Sequence, residues 1–306
     1  AKPIIMTAVP RFYQNLFNKI NLNFKNQKGL KKLLISQTLI LGKKKLEGNK
    51  LDLKERLVDL ICEATVRKKI RNQFGGRLKA FVSGGGALDK SIGEFLNAIG
   101  LPTLQGYGLT EASPVVSCNL PNKVKVETVG PAFSTNQVKI AEDGEILIKG
   151  ENVMLGYWNK KEATDESIKD GWLHTGDIGE IDSDGYLKIT DRKKDLIVNL
   201  GGDNISPIKI ENLLCLSEHI KQSFVYGDKK NYLIAILVVE KDFKDADLIH
   251  EYVNNLNKNL AMIERVKKYL IMKDEFTIEN RMLTPTLKLK RKEIVNKYLK
   301  QIENLY

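Results

Sequence analysis

Apolar residues recur at helical spacing in the opening part of the chain. In residues 11–20, and again in residues 51–74, they return every three or four positions, which is the period of an amphipathic helix. The second repeat is carried by Leu53, Leu57, Leu60, Ile61 and Ala64. Gly75 and Gly76 follow it, and we expect them to end the helix.

A strand, a glycine turn and a helix are predicted next. Residues 78–83 form a short apolar run rich in Phe and Val, which is typical of a buried strand. Gly84, Gly85 and Gly86 follow, and residues 89–99 then predict a helix. Strand, turn and helix in this order indicate a parallel α/β unit.

The pattern becomes β-rich after Thr103. Short strand candidates at residues 138–140, 145–148 and 186–189 are separated by turn sequences such as Glu142-Asp143-Gly144, which predicts hairpins. Beyond Arg192 a mixed pattern returns, with strands at 196–198 and 232–239 and a helix near 208–214. We therefore expect an α/β protein with a β-rich region, changing to α+β in its C-terminal part.

Composition narrows the class of protein. With 306 residues, of which 42% are hydrophobic, the chain can bury a large core. The longest apolar run, at residues 232–239, is far too short to cross a bilayer, and no signal-peptide pattern opens the sequence. Three separated cysteines, Cys62, Cys118 and Cys215, build neither a disulfide framework nor a zinc site. These features predict a soluble, cytoplasmic protein.

Charge favours anionic partners without choosing among them. The 49 Lys and Arg residues exceed the 38 Asp and Glu residues, so the formal net charge is +11. Nucleic acid is not an expected partner, because the lysine-rich stretches lack interleaved aromatic residues and recognition-motif spacing. A peripheral contact with an anionic membrane, for example through Lys43, Lys44 and Lys45, stays open.

Four motifs follow one another along the chain. They are Ser-Gly-Gly-Gly-Ala at 83–87, Gln-Gly-Tyr-Gly-Leu-Thr-Glu at 105–111, Gly-Trp-Leu-His-Thr-Gly-Asp at 171–177, and Asp-Arg-Lys-Lys-Asp at 191–195. Together they resemble the successive signatures of the adenylate-forming, AMP-binding superfamily. With the segment Leu-Thr-Pro-Thr-Leu-Lys-Leu-Lys at 283–290, the sequence most resembles the long-chain fatty acid–CoA ligases.

The resemblance implies a nucleotide site. Glycines without side chains would let the backbone approach an adenine ring, and Tyr107 would supply a stacking face. Asp177 and Arg192 would bind the ribose hydroxyls. The implied nucleotide-binding set is Gly84, Gly85, Gly86, Gln105, Gly106, Tyr107, Gly108, Thr110, Asp177 and Arg192.

The catalytic candidates are Thr110, Glu111 and Lys290. Thr110 offers a hydroxyl to phosphate oxygens, and Glu111 offers a carboxylate oxygen to Mg²⁺. In the family, a lysine near the C-terminus pairs with the carboxylate and α-phosphate oxygens, and Lys290 matches it. Two departures are that Leu289 replaces the usual glycine before this lysine and that Gly86-Ala87 replaces Ala-Pro. His174 is interpreted as a structural neighbour of the site and not as a base.

The second half-reaction would use residues further along. Gly201 and Gly202 resemble the glycines that line the coenzyme A path, although an ordinary glycine turn remains the alternative. Lys194 matches the hinge residue about which the C-terminal domain swings. The implied organisation is residues 1–192 as the C-terminal part of a large AMP-binding domain and residues 193–306 as a small mobile domain.

The implied activity is ATP-dependent long-chain acyl-CoA formation through an acyl-adenylate, with ATP, Mg²⁺ and coenzyme A required and AMP released. The family's glycine- and serine/threonine-rich phosphate loop does not occur in these 306 residues. We therefore expect a truncated ligase that is weak or inactive alone and that needs a missing N-terminal fragment or associates with itself. A non-catalytic nucleotide- or CoA-binding fragment with an interaction or regulatory role is the alternative. A shorter-chain or aromatic acid substrate also stays open.

Overall fold

The computed structural model describes residues 2–284 and 287–306. The chain divides into two compact units, Ala1–Thr190 and Asp191–Tyr306, each with its own sheets and core. Within the described part of the chain, no helix combines the length and the apolar composition that crossing a bilayer requires.

Helices open the first unit. They are α1 (Pro10–Lys25), α2 (Gly29–Leu46), α3 (Leu53–Cys62) and α4 (Lys68–Gln73). The helical predictions for residues 11–20 and 51–74 are confirmed, although a π-helical turn, Glu63–Arg67, separates α3 from α4. A capping box fixes the start of α3, because the Asp52 carboxylate accepts the Glu55 backbone N–H and the Glu55 carboxylate accepts that of Asp52.

The apolar repeat of α3 is not its buried face. Leu53 and Leu57 are 79% and 65% exposed, and Leu60 and Ile61 are exposed as well. The buried residue of α3 is Cys62. In the π-helical turn that follows, the buried Arg67 guanidinium donates to the backbone oxygens of Thr38 and Ala98. Spacing establishes that a segment is helical, but it does not establish what packs against it.

A four-stranded sheet follows the helices. Its order is β1 (Ile5–Ala8), β2 (Ala80–Ser83), β3 (Thr103–Tyr107) and β4 (Ser117–Cys118). The first three strands are parallel, and β4 is antiparallel to β3. Helix α5 (Lys90–Ala98) connects β2 to β3, so the predicted parallel α/β unit is confirmed.

The β-rich region forms a five-stranded sheet. Its elements are β5 (Asn136–Ile140), β6 (Glu145–Gly150), α6 (Lys161–Ser167), β7 (Ile168–Lys169), β8 (Trp172–Ile181) and β9 (Leu187–Arg192). The order is β5-β6-β8-β7, and β9 also pairs with β8. The three predicted strands are therefore confirmed. Ile146, Ile148 and Leu173 of this sheet pack against Tyr107 at the end of β3, which holds the two sheets of the first unit together.

The second unit places helices on both faces of a three-stranded sheet. Its elements are β10 (Ile197–Val198), β11 (Asn204–Ile205), α7 (Pro207–Leu214), β12 (Ile220–Tyr226), β13 (Leu233–Val239), α8 (Ala246–Lys258), β14 (Val266–Met272) and α9 (Arg291–Glu303). Strand β13 lies between antiparallel β12 and parallel β14 and is buried along its whole length. One face packs on α7 and α8, and the other packs on α9. The strand and helix predictions for this part are confirmed.

Candidate functional site

Two predicted motifs meet in the first unit through a direct hydrogen bond. The Tyr107 hydroxyl donates to Oδ2 of Asp177 at 2.7 Å, and both residues are buried. Tyr107 ends β3 and Asp177 lies in the middle of β8, 70 positions further along the chain. The close approach arises because the hydrophobic cluster of the β-rich sheet includes the Tyr107 ring. A buried carboxylate is thus held in one orientation at the junction of two sheets.

A bulge in β8 supports Asp177. Gly176 has a φ of +69°, a conformation that favours glycine, and the pairing of β6 with β8 shifts register here. The buried Glu145 carboxylate accepts the Gly176 backbone N–H at 2.8 Å, and its other oxygen lies 3.2 Å from His174 Nδ1. The Thr175 hydroxyl accepts the Asp177 backbone N–H at 3.0 Å. His174 therefore contacts a structural carboxylate, in agreement with its interpretation as a neighbour of the site.

The Thr110-Glu111 pair lies in a 3₁₀ turn, Thr110–Ala112, that a distant segment holds in place. Met154 N–H donates to the Glu111 backbone oxygen, and the Tyr157 hydroxyl donates to Glu111 Oε1, both at 2.8 Å. Burial, followed by the Glu111 contact, raises the pKa of Tyr157 and keeps this donor protonated. Thr110 is exposed, so its hydroxyl can reach a ligand.

The motif glycines differ in what surrounds them. A Cβ on Gly108 would lie 1.6 Å from the Pro114 backbone oxygen, so the turn after β3 leaves no room for a side chain. In contrast, a Cβ on Gly84 would meet nothing closer than 3.8 Å, and Gly85 needs glycine because its φ is +81°. Open space above this turn is what a flat ligand would require. A Cβ on Gly106 would lie 3.3 Å from the Ser117 oxygen.

Gln105 is engaged inside the protein. Its side-chain oxygen accepts the Leu88 backbone N–H at 2.9 Å, and its amide donates to the Val126 backbone oxygen. The side chain thereby ties the residue after the glycine turn to β3.

The residues of the first unit fit a nucleotide with Mg²⁺ better than a protein-enclosed metal. No group of three or more His, Cys, Asp or Glu side chains that could hold a metal is found among residues 2–284 and 287–306. Mg²⁺ usually keeps its waters and takes one or two carboxylates together with substrate phosphates. A single oriented carboxylate at Glu111, beside the exposed Thr110 hydroxyl, suits that mode of binding.

The remaining candidates lie in the second unit, mostly on turns. Lys194 is exposed in the turn that precedes β10. Gly201 and Gly202 form the exposed turn between β10 and β11, where Gly202 has a φ of +83°. A Cβ on Gly202 would meet nothing within 4 Å. Glycine is therefore favoured here by the backbone conformation and not by a lack of space. Arg192, the last residue of β9, is half-buried.

Lys290 is exposed at the start of α9, next to an ion pair whose carboxylate is buried. Its backbone N–H donates to the Met282 oxygen at 2.8 Å. The following residue, Arg291, donates from Nη2 to Glu211 Oε2 at 2.6 Å and from Nη1 to the Val225 oxygen at 3.3 Å. Glu211 also accepts the Val225 backbone N–H at 2.8 Å. Residues 285 and 286 of the predicted motif lie outside the described residues.

Two carboxyl groups of the second unit have raised pKa values. Burial raises the pKa of Glu211, and the Arg291 charge opposes that effect. Burial likewise raises the pKa of Asp191, against the hydrogen bond from Ser206 and the Arg291 charge. The first residue of the Asp-Arg-Lys-Lys-Asp motif is therefore part of the buried interior of this unit.

The structure thus brings together Tyr107 and Asp177 within the first unit, and the Thr110-Glu111 turn follows Tyr107 closely in the chain. Arg192, Lys194, Gly201, Gly202 and Lys290 belong to the second unit, and their convergence on the same ligand stays a prediction.

Sequence reasoning missed several supporting residues. Glu145 and Tyr157 hold the first-unit motifs, and Glu211 and Arg291 anchor the start of α9. Glu211 gave a weak signal, because it is an acidic residue within the largely apolar helix α7. Nothing in the sequence indicated which partner each of these side chains would meet.

Two protein-family models together match most of the chain. Residues 1–158 match a family model described as AMP-binding enzyme, and residues 194–306 match a model described as AMP-binding enzyme C-terminal domain.

Curated relatives cover the whole chain. The long-chain-fatty-acid–CoA ligase FadD15 of Mycobacterium bovis is 34% identical over 329 residues, which cover 100% of this chain and 55% of that protein. The long-chain-fatty-acid–CoA ligase 5 of Mus musculus is 32% identical, and the match covers 100% of this chain and 49% of that protein. The chain therefore spans about half the length of the curated relatives it matches.

Solved structures share the fold. The adenylation domain of a carboxylate reductase from Mycobacterium chelonae has a TM-score of 0.75 at 22% identity, covering 100% of this chain and 47% of that chain. The o-succinylbenzoate CoA synthetase of Bacillus subtilis, in complex with its acyl-adenylate intermediate, has a TM-score of 0.61 at 28% identity. That match covers 71% of this chain and 46% of that chain.

Proposed function

Because the chain belongs to the AMP-binding enzyme family, we propose that it acts in an ATP-dependent long-chain fatty acid–CoA ligase. The observation that carries this proposal is the 2.7 Å hydrogen bond between Tyr107 and Asp177, which joins two sequence motifs at one buried point. The names of the curated relatives support a long-chain fatty acid and coenzyme A as substrates.

The proposed reaction has two steps. A carboxylate oxygen of the acid attacks the α-phosphorus of ATP, and the bond to pyrophosphate breaks. The sulfur of coenzyme A then attacks the carbonyl carbon of the acyl-adenylate, and AMP leaves. Both steps need a held nucleotide and a positive charge near the reacting oxygens.

We assign the nucleotide to the first unit. Adenine would lie over the open glycine turn, at Gly84, Gly85 and Gly86, with the Tyr107 ring as the proposed stacking partner. Asp177, oriented by the Tyr107 hydroxyl, would accept hydrogen bonds from the ribose. Gln105, Gly106 and Gly108 would shape the backbone of this turn.

Thr110 would donate its hydroxyl to phosphate oxygens. Glu111, with one oxygen fixed by Tyr157, would hold Mg²⁺, which neutralises phosphate charge when it is bound.

We assign the moving groups to the second unit. Lys290 is the proposed partner of the carboxylate and α-phosphate oxygens, and Arg192 is the proposed second contact to the ribose. Gly201 and Gly202 would leave space for coenzyme A. We also propose that a mobile domain begins after residue 192, with Lys194 as the hinge between the two half-reactions.

Turnover by this chain would depend on a partner. Since the chain spans about half of each relative, we propose that turnover needs a complementary N-terminal part or association between copies. The exposed apolar residues of α3 are the kind of surface that such an association would cover. A peripheral contact with an anionic membrane also belongs to the proposal.

Calorimetry with AMP and with coenzyme A, next to an assay for palmitoyl-CoA formation, tests the proposal. We expect AMP to bind the unaltered chain and Asp177→Asn to weaken binding about 10-fold or more, because hydrogen bonds to a charged group are lost. The control is Tyr186→Phe, which removes a buried hydroxyl that donates to the Lys123 oxygen and should leave AMP binding unchanged.

The outcomes separate the candidate functions. Binding of AMP with acyl-CoA formation supports the ligase. Binding without turnover, even after a complementary N-terminal part is added, favours the non-catalytic nucleotide-binding fragment. Absence of AMP binding, or equal binding by Asp177→Asn, contradicts the assignment of the site.

A further inference from the structure

The turn between α1 and α2, together with the first residues of α2, stands out from the rest of the surface. Residues 28–33 have the sequence Lys-Gly-Leu-Lys-Lys-Leu, and all six are exposed. Leu30 is 71% exposed and Leu33 is 57% exposed. We call this segment, Lys28 to Leu33, the 28–33 turn. It presents apolar and positively charged side chains side by side.

The 28–33 turn lies in a strongly biased part of the chain. Residues 1–46 contain ten Lys and Arg residues and no Asp or Glu. Within the described residues, Lys28, Lys31 and Lys32 form no ion pair. The three lysines therefore keep their charge available to an external anion.

Another lysine triplet in the same helix behaves differently. Lys43, Lys44 and Lys45, at the end of α2, pair with Glu94, Glu55 and Asp59 at 3.1, 2.7 and 2.8 Å respectively. Their charge is already balanced inside the protein. The positions that the sequence suggested for a membrane contact are thus the less suitable ones.

Helix stability does not explain the lysines of the 28–33 turn. Helix α2 has no acidic residue in its first turn and no side-chain cap. The helix dipole places partial positive charge at the N-terminus of a helix, so lysines at this end lower the stability of the helix. The same dipole would instead add to the attraction between the turn and an anionic surface.

We propose that the 28–33 turn docks on the surface of an anionic phospholipid bilayer, with Leu30 and Leu33 inserted at the interface and the three lysines against the headgroups. Charge complementarity favours this occupant, because an anionic bilayer offers negative headgroups to Lys28, Lys31 and Lys32 at the same time, while Leu30 and Leu33 reach its apolar interior. Two weak signals, apolar insertion and basic attraction, are the combination that gives stable interfacial binding. This proposal names the surface for the peripheral membrane contact of the proposed function and rests on that part of it. AMP binding and acyl-CoA formation test the ligase part separately.

The exposed leucines of α3 provide a comparison. Leu53 and Leu57 are 79% and 65% exposed, but acidic Glu55 and Asp59 lie in the same helix among its basic residues. Such a mixed surface has no net attraction to an anionic bilayer. The two leucine pairs therefore differ in surrounding charge and not in exposure.

Co-sedimentation of the full chain with sucrose-loaded vesicles tests the proposal. We expect binding to vesicles of equal parts phosphatidylglycerol and phosphatidylcholine, and little binding to pure phosphatidylcholine. Each lysine near such a surface contributes a factor of about five, so Lys28→Gln/Lys31→Gln/Lys32→Gln should lower the partition coefficient about 100-fold. Leu30→Ser/Leu33→Ser should lower it about 10-fold or more.

Two matched controls accompany these variants. Lys43→Gln/Lys44→Gln/Lys45→Gln makes the same change in net charge, and we expect a decrease of less than about 5-fold, because paired lysines contribute little to external attraction. Leu53→Ser/Leu57→Ser should leave vesicle binding unchanged. Far-UV circular dichroism checks that each variant is folded.

Several results would overturn the proposal. They are no binding of the unaltered chain to the anionic vesicles, equal binding to both vesicle types, or a decrease in the control triplet as large as in the first triplet. Loss of self-association in Leu30→Ser/Leu33→Ser, with vesicle binding retained, would show that the turn contacts protein and would also overturn it.

Discussion

The two units differ in how firmly their motif side chains are held. In the first unit, Tyr107 and Asp177 are buried and bonded to each other, and Glu111 is held by Tyr157. In the second unit, the motif residues Lys194 and Lys290 are exposed, and Lys290 precedes Arg291, which pairs with the buried Glu211.

The difference indicates two physical strategies. A preformed set of hydrogen bonds suits a site that must hold one ligand in one orientation. An exposed side chain such as Lys290, next to the ion pair of Arg291 with Glu211, suits a group that approaches and leaves a ligand. Four predictions test this difference between the units.

The largest effect is expected from breaking the ion pair of Arg291 with Glu211 in the second unit. Arg291→Met leaves Glu211 buried without its charge partner, so we expect the second unit to lose about 3–5 kcal/mol of stability. Hydrogen–deuterium exchange of peptides from residues 191–306 measures this unit by itself. The double variant Arg291→Met/Glu211→Met should recover most of the loss, and Lys292→Met, at the exposed next position, should change little. Unaltered exchange in Arg291→Met would contradict the anchoring role.

The next largest effect is expected when a motif glycine is replaced by alanine, and the same substitution can be made in each unit. Gly108→Ala places a Cβ 1.6 Å from the Pro114 oxygen, and such overpacking against backbone costs about 3 kcal/mol or more. Gly202→Ala meets no atom within 4 Å and costs only the left-handed backbone conformation, about 1–2 kcal/mol. Exchange of peptides around each site provides the measurement. An equal or larger effect at Gly202 would show that the two turns do not differ as described.

A smaller effect is expected from the central hydrogen bond. Tyr107→Phe removes the donor to the buried Asp177 carboxylate and should lower the stability of the first unit by about 1–3 kcal/mol. Urea unfolding followed by the fluorescence of Trp158 and Trp172, both in this unit, measures the loss. Tyr186→Phe should also destabilise, but only Tyr107→Phe should weaken AMP binding. Equal AMP affinity in the two variants would remove Tyr107 from the site.

The smallest effect is a change in pH dependence. Because the pKa of Asp191 is raised in the folded chain, the folded state holds this proton more tightly than the unfolded state. Its contribution to stability therefore falls as the pH rises from about 4 through the raised pKa. Asp191→Asn cannot ionise, so it should be more stable than the unaltered chain near pH 7, with the difference vanishing near pH 4. Urea unfolding followed by circular dichroism checks this, and a gap that widens toward acid would contradict it.

Elements with a strong local pattern were predictable from sequence. The turn sequences of the hairpins and the apolar run of β13 each predict a strand locally. The long strand β8 was not predicted, although its buried and less buried positions alternate. The short strand β1 was not predicted, because a four-residue segment gains its identity only by pairing with β2. The exposed leucines of α3 show the same limit, since periodicity does not reveal the packing partner.

The candidate site was predictable only as a set of motifs. Glycine turns and the residues after them can be read locally, and the resemblance brought Tyr107 and Asp177 to one site. The hydrogen bond between them, the Tyr157 contact to Glu111 and the pairing of Arg291 with Glu211 join positions 46 to 80 residues apart. Such pairs depend on tertiary packing, which no local pattern records.

A crystal structure of the chain with AMP would show whether Asp177 and the glycine turn bind one nucleotide. We expect the ribose oxygens of AMP within hydrogen-bonding distance of Asp177, about 2.5–3.2 Å, and the adenine over the turn at Gly84 to Gly86. AMP bound elsewhere, or an Asp177 carboxylate turned away from the ribose, would contradict it.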